Sequence, residues 1–314
     1  MLDTILTQFT LYSQLLVIIF GTIGSLLNLL LFSCQKSLRL SSCSLYFRAL
    51  SMNDLIALYI IVFPVWLEAK LNIDLMQYHD WSCKLKNYLI NIFYTISPYF
   101  LVLACFDRLC TSSSNAKIRR IATIRVASYV IPITIILVLL MHFHIPINYK
   151  LITVGSKTYC ETINAGYSRF VSLFLLFFLC IFPPSLMIIF CLTTVILRRQ
   201  HQRRIMPTNQ NRSGQRENQI LKMLFIYVAL NVICTLPFAI CHVLMMFEDR
   251  LYDRHHVKLL RLLRLLLNIN FSTSFYAYTL ATPFYRQELR CLIQKIVNRI
   301  CLQKKTAAVT RANA

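Results

Sequence analysis

The sequence predicts an all-α membrane protein: a bundle of seven transmembrane helices, followed by a short amphipathic helix on the membrane surface. Composition, apolar runs of membrane-crossing length and a lopsided placement of basic residues carry that prediction. Hydrophobic residues make up 57% of the 314, charged residues 14%, and there are five glycines. A soluble domain with so few charges could not cover its surface, so lipid is the expected solvent. The apolar runs fall at about 14–33, 44–67, 84–106, 121–143, 170–197, 219–247 and 257–281, each long enough for a hydrocarbon core of about 30 Å. Residues 14–302 are expected to form one helical domain, with a short outer segment at 1–13 and a short inner tail at 303–314.

A net charge of +21 suggests nucleic acid until it is sorted by membrane side. With the N-terminus outside, the inner segments 34–44, 107–125, 197–222 and 282–314 hold 21 of the 33 Lys and Arg and three acids. The outer segments hold ten bases and eight acids. That asymmetry orients the chain with its N-terminus out and C-terminus in. The run Arg198-Arg199-Gln200-His201-Gln202-Arg203-Arg204 then reads as a surface for anionic lipid and an inner partner, and no nucleic-acid partner is expected.

Topology also sorts the twelve cysteines. Cys105, Cys180, Cys191, Cys234 and Cys241 lie in spans, and Cys34, Cys43, Cys110, Cys291 and Cys301 face the reducing side. Cys83, opening span three, and Cys160, between spans four and five, are left on the oxidising face, where a bridge is expected. Asp107-Arg108 stands twenty-five positions after Cys83. At 1.5 Å per residue that is about 38 Å, so one helix ties an outer cysteine to an inner acid–arginine pair.

Taken in order, these features resemble the rhodopsin-like (class A) G-protein-coupled receptors over residues 14–302. Span one carries Gly24-Ser25-Leu26-Leu27-Asn28, span two Leu50-Ser51-Met52-Asn53-Asp54, and span three Cys83 with Asp107-Arg108 at the family's separation. Span five has Pro183-Pro184 and span six Cys234-Thr235-Leu236-Pro237. Span seven ends at Tyr278, six residues before Phe284. There are departures. Leu109 stands where a tyrosine is usual after the arginine, and Thr235 where a tryptophan precedes the span-six proline. Ser274-Phe275-Tyr276-Ala277-Tyr278 replaces Asn-Pro-x-x-Tyr, so span seven lacks its proline. Divergent members, including invertebrate peptide-type receptors, carry such changes.

The resemblance implies a plasma-membrane receptor for an extracellular ligand that activates heterotrimeric G proteins as the sixth helix swings outward, with Pro237 and Tyr278 as switch residues. It brings Asn28, Asp54, Ser97, Asn270 and Ser274 to similar depth. A buried carboxylate there needs partners, a proton or a cation, and the oxygen-rich set suits a sodium ion; the alternative is a hydrogen-bonded network with a protonated Asp54. Glu217 lies twenty residues before Pro237, about 30 Å along a helix, level with Arg108. Asp107 and Glu217 would then both hold the arginine as a latch.

For the ligand, the family's amine-binding aspartate position falls on Ile90 and its retinal-binding lysine on Asn268, so neither ligand class is expected. The outer ends offer Trp66, Glu68, Asn87, Asn91, Tyr94, Arg261 and Arg264 as pocket candidates, a mixture that favours a peptide. No metal is expected: His142 and His144 are two apart, hence on different helix faces. No catalytic constellation marks an enzyme. After Pro283, the apolar Phe284, Leu289, Leu292, Ile293, Ile296 and Val297 oppose basic residues, as in a helix lying on the membrane, with Cys301 a palmitoylation candidate. A seven-pass transporter or ligand-gated channel is the alternative, but neither internal symmetry between halves nor broken helices support it.

Overall fold

A computed structural model describes residues 2–39, 41–71, 79–154, 157–204, 212–247 and 254–312. In chain order the elements are α1 (Leu2–Cys34), α2 (Lys36–Arg39), α3 (Ser42–Ala57), α4 (Phe63–Leu71), α5 (Asp80–Ser112), α6 (Ala116–Arg119), α7 (Ile124–Met141) and α8 (His144–Asn148). A hairpin of β1 (Tyr149–Val154) and β2 (Lys157–Thr162) follows, then α9 (Ala165–Leu175), α10 (Phe182–Arg204), α11 (Arg212–Phe247), α12 (Arg254–Ala281) and α13 (Pro283–Ala312). One π turn, Leu58–Val62, joins α3 to α4, and another, Leu176–Ile181, joins α9 to α10.

Six helical stretches among the described residues are long and apolar enough to cross a membrane: Gln8–Cys34, Ser42–Leu71, Asp80–Ser112, Ile124–Asn148, Ala165–Gln200 and Asn218–Leu244. α12 is not among them because Arg261, Arg264, Asn268 and Asn270 dilute it, yet it packs along both α1 and α11. α5 is the central helix, touching α3, α7, α10 and α11. Its most apolar window is 61% buried against 17% for α7, which lies at the rim. The outward faces carry Ile, Leu and Phe, among them Ile133, Ile136, Leu137 and Leu140 of α7. That is the expected covering where the surroundings are hydrocarbon.

Prolines explain both π turns. A proline has no N–H to donate, so the helical ladder fails around it. Phe63, just before Pro64, donates its N–H to the carbonyl of Leu58, five residues back. Phe182, just before Pro183-Pro184, likewise donates to Phe177. Each slip widens the helix by one residue and re-aims the side chains of that turn. Side-chain caps start other helices: Asn164 accepts from the Tyr167 N–H at 2.7 Å and Thr123 from the Val126 N–H at 3.3 Å.

Some boundaries differ from the sequence reading. α1 begins at Leu2, well before the apolar run, and the hairpin between spans four and five was not foreseen. The helix after Pro283 is 30 residues long rather than short, and runs through the expected tail to Ala312. Nothing in 284–312 breaks it, since neither glycine nor a second proline occurs there. Its Tyr285 and Leu292 are buried against the bundle, whereas Ile293 and Val297 are exposed.

α1 is held close by two glycines. A Cβ on Gly21 would lie 2.6 Å from Leu58 Cδ1, and one on Gly24 would lie 3.0 Å from Phe275 Cβ. Small residues of this kind let helices approach where lipid supplies no hydrophobic drive between them. Gly21 faces the end of a flexible side chain, but Gly24 faces the stem of Phe275. We expect Gly24→Leu to destabilise the α1–α12 contact by about 1–3 kcal/mol, the usual overpacking range. Thermal unfolding in detergent should show a clear drop for Gly24→Leu and a smaller one for Gly21→Ala. Unchanged melting of Gly24→Leu would mean that α1 packs elsewhere.

Candidate ligand cavity, polar core and inner-face arginine

At the end of the bundle where α5 begins, Cys83 and Cys160 form a disulfide, with Cα atoms 5.7 Å apart. Cys160 sits on β2 opposite Leu151 of β1. A second tie is the Leu151 N–H, which donates to Asp80 Oδ1 at 3.1 Å. The Asn87 amide donates to the Cys160 sulfur at 3.0 Å and to the Cys83 carbonyl at 3.0 Å. The hairpin is thereby clamped across the first turns of α5.

Beneath it lies a cavity of about 380 Å³, lined by residues of α4, α5, β1, α9, α11, α12 and the two π turns. Of the pocket candidates from sequence, Glu68, Asn87, Asn91, Tyr94 and Arg264 line it. Trp66 does not; it stacks on Phe63 at 5.9 Å. Arg261 also falls outside the lining, although it and Arg264 are both exposed. Both π turns deliver residues to the wall, Ile61 from the first and Leu176 and Leu179 from the second.

Other lining residues were not among those candidates, the polar or aromatic Tyr149, Phe238, His242 and Asn268 among them. Periodicity could not single them out, because each reaches the cavity through the way its helix or strand is turned. Glu68 accepts from Lys86 at 2.5 Å, and the Tyr94 hydroxyl donates to Asn268 Oδ1 at 2.5 Å. Burial pushes the Tyr149 hydroxyl pKa up, and the nearby Arg264 guanidinium pulls it partway back. A wider cavity of about 580 Å³ runs between the hairpin and α9, sharing Tyr149, Ser172 and His242 with the first.

His142 and His144 each take part in a hydrogen bond within the bundle. His142 is fully buried, with Nε2 3.2 Å from Thr95 Oγ1, while His144 Nδ1 lies 2.6 Å from the Tyr167 hydroxyl. No group of three or more potential metal ligands occurs among the described residues.

Deeper in, the polar set gathers. Asp54 and Asn28 are fully buried, and Ser97, Ser274 and Asn270 nearly so. The Ser97 hydroxyl donates to Asp54 Oδ1 at 2.8 Å, and the Asn53 amide donates to Ser97 at 2.7 Å. The Asn28 amide donates to Ser274 at 3.2 Å, while the Tyr285 hydroxyl donates to Asn28 Oδ1. Asp54 Oδ2, Asn270 Oδ1 and the hydroxyls of Tyr227 and Tyr278 have no hydrogen-bond partner among the described residues. Tyr278 is enclosed by aromatic rings, with Phe47 at 5.4 Å, Tyr227 at 5.6 Å and Tyr285 at 5.9 Å. Pro237 lies within α11, two residues after Thr235, whose hydroxyl donates to the Asn231 carbonyl one turn back at 2.8 Å.

At the opposite end from the hairpin, Arg108 and Asp107 are both buried, 2.7 Å apart. Arg108 Nη2 also donates to Ser41 Oγ at 3.1 Å, a tie to the start of α3 that the sequence does not reveal. Glu217 lies on α11, but its side chain is outside the described residues, as is that of Cys301. Cys105 and Cys191 bring α5 and α10 together, their sulfurs 3.5 Å apart.

Residues 24–276 match the family described as 7 transmembrane receptor (rhodopsin family), which is most of the chain. The protein belongs to that family, a class of receptors rather than enzymes. No curated protein matches the chain.

The bridge closes a stretch of 77 residues, and restraining the unfolded chain over that length is worth up to about 4.5 kcal/mol. Cys83→Ser and Cys160→Ser should each sharply reduce surface expression, and the double variant should be no worse than either. Additive losses in flow cytometry would show that each thiol matters for some reason other than their bond.

Proposed function

We propose that this receptor sits in the plasma membrane with its N-terminus outside, binds an extracellular peptide in the cavity under the hairpin, and activates heterotrimeric G proteins through its inner face. The observation that carries this reading is the placement of a roomy, disulfide-capped cavity at one end of α5 and a buried Asp107–Arg108 pair at the other. Two neighbouring cavities that share Tyr149, Ser172 and His242 favour an extended ligand over a compact one, and their lining mixes charged, amide, aromatic and aliphatic groups. The inner face is strongly basic, in keeping with anionic lipid around it.

The route between the ends runs along shared helices. Tyr94 and Ser97 stand one turn apart on α5, as Asn270 and Ser274 do on α12. A ligand that draws on Tyr94 or Asn268 therefore pulls on the helices that hold Asp54, and beyond it on Tyr278 and Tyr227. Outward movement of α11 would then free Arg108 to meet the G protein, with Glu217 as its second acidic partner at rest.

The polar core suits sodium as a resident ion. Asp54 Oδ2 and Asn270 Oδ1 are buried oxygens without partners among the described residues, and a hard cation is satisfied by such oxygens. Bound there, the ion would hold the resting state, and Asp54, Ser97, Asn270 and Ser274 would supply its protein ligands. Sodium should lower agonist affinity in the wild-type receptor, and Asp54→Asn should remove that dependence. A flat sodium titration of the wild type would leave a protonated hydrogen-bonded network in its place.

Nucleotide exchange on purified heterotrimers, with receptor in nanodiscs, tests the coupling. Arg108→Ala should silence exchange at equal receptor amounts. Glu217→Ala should raise basal exchange, since removing one acidic partner proposed for the resting arginine would shift such a two-state balance by about 1–3 kcal/mol. Unchanged basal exchange would make Glu217 an ordinary surface acid, with Asp107 and Ser41 alone holding the arginine. An N-terminal epitope stained on intact cells should report an outside N-terminus; staining only after permeabilisation would reverse the topology.

A further inference from the structure

The cavity beneath the hairpin carries an electrostatic imbalance that specifies one end of its ligand. Its lining holds three charged side chains, Glu68, Lys86 and Arg264, and the first two neutralise each other at 2.5 Å. Arg264, an exposed residue, has no carboxylate within ion-pair distance among the described residues, so among these the lining carries one unmatched positive charge. One turn along the same face of α12 stands Asn268, fully buried and lining the same cavity. Its amide oxygen is occupied by the Tyr94 hydroxyl, and its Nδ2 has no acceptor among the described residues. A buried donor left unsatisfied costs free energy that an incoming acceptor would recover. A guanidinium and an amide N–H₂ one helical turn apart are both donors, and one is charged. Facing them, the wall is aliphatic and aromatic: Leu176, Leu179, Ile90 and Phe238.

We propose that the cavity receives a carboxylate flanked by apolar groups, one oxygen taken by the Arg264 guanidinium and the other by the Asn268 amide. The inference rests on the reading of this cavity as the ligand site and adds the ligand's polarity. A peptide enters with its free C-terminus first and its final apolar residues against the aliphatic wall, while its N-terminal part lies in the wider space beside the hairpin. C-terminal amidation removes the charge and replaces an acceptor by a donor, so an amidated peptide is disfavoured. An unbranched aliphatic acid presents the same chemistry.

The experiment measures direct binding to full-length receptor in nanodiscs, by saturation-transfer NMR and titration calorimetry. The probes are N-acetyl-Leu-Leu-Leu as free acid, the same tripeptide as C-terminal amide, and decanoate. The free acid should bind at least about tenfold more tightly than the amide, the loss expected when a charge-assisted hydrogen bond is removed. Arg264→Gln should abolish that preference, Arg264→Lys should keep part of it, and Asn268→Leu should weaken the acid more than the amide. Melting temperatures of the variants separate lost binding from lost folding, and Arg261→Gln should behave as wild type. Tight binding of decanoate with none of the tripeptide acid supports the carboxylate site but identifies an aliphatic acid, which overturns the peptide reading alone. Equal binding of acid and amide, acid preference surviving Arg264→Gln, or no binding of any probe overturns the inference. Nucleotide exchange, measured separately, continues to report on coupling whichever way this falls.

Discussion

A carboxyl group sealed in the middle of an apolar bundle is the constraint on which most other contacts depend. Asp54 cannot reach water, so its carboxyl depends on neighbouring helices, which serve Oδ1 and leave Oδ2 without a hydrogen-bond partner among the described residues. Ser97 answers from α5, and Asn53 in turn donates to Ser97. That chain sets the register of α3 against α5. The same need draws in α1 and α12, because Asn28 donates to Ser274 and accepts from Tyr285. Just past the end of α1, the Gln35 amide donates to the Glu288 carbonyl at 2.7 Å and its oxygen accepts from Lys295 at 2.8 Å, fastening α13 to the bundle. Polar side chains therefore decide which helices neighbour one another.

Apolar surfaces do a different job. Hydrocarbon surrounds the bundle, so burying leucine against leucine gains little over leaving it in lipid, and close fit matters more than hydrophobicity. The two glycines of α1 bring backbones together, and stacked rings such as Phe32 on Phe47 at 5.2 Å fill the inner half. The two ends are secured by unlike means. A covalent bond and a paired hairpin lock the end nearest the cavity. The opposite end is held by an ion pair and single hydrogen bonds around Arg108, which can exchange partners without breaking covalent structure. Movement is cheapest there.

Proline chemistry links local sequence to the cavity. Pro64 and Pro183-Pro184 each withdraw a backbone donor, and the preceding phenylalanine shifts its own bond back by a residue. The resulting π turns rotate Ile61, Leu176 and Leu179 into the wall. These residues would point elsewhere on an unbroken helix. The cavity's shape is thus partly a consequence of three prolines that never touch its contents.

By itself the sequence determined the features that depend on composition and order along the chain. Seven apolar runs, the clustering of basic residues in alternate connecting segments and the sorting of the cysteines between spans and the two faces need only a bilayer's thickness and its redox sides. The pairing of Cys83 with Cys160 followed from them and is the pairing found. The resemblance, rather than composition or spacing, grouped Asp54 with Ser97, and the hydrogen bond between them is a detail of the folded chain. Other features were invisible because they depend on rotation and approach. The hairpin after α8 forms where no strand pattern stood out, and Ser41 reaches Arg108 only because α3 starts beside the end of α5. Arg261 and Arg264 are alike in a linear reading, one turn apart on α12, yet only Arg264 lines the cavity. Which of two such residues faces inward is set by how the whole helix turns between α1 and α11, and that rotation is decided by tertiary contacts rather than by either residue.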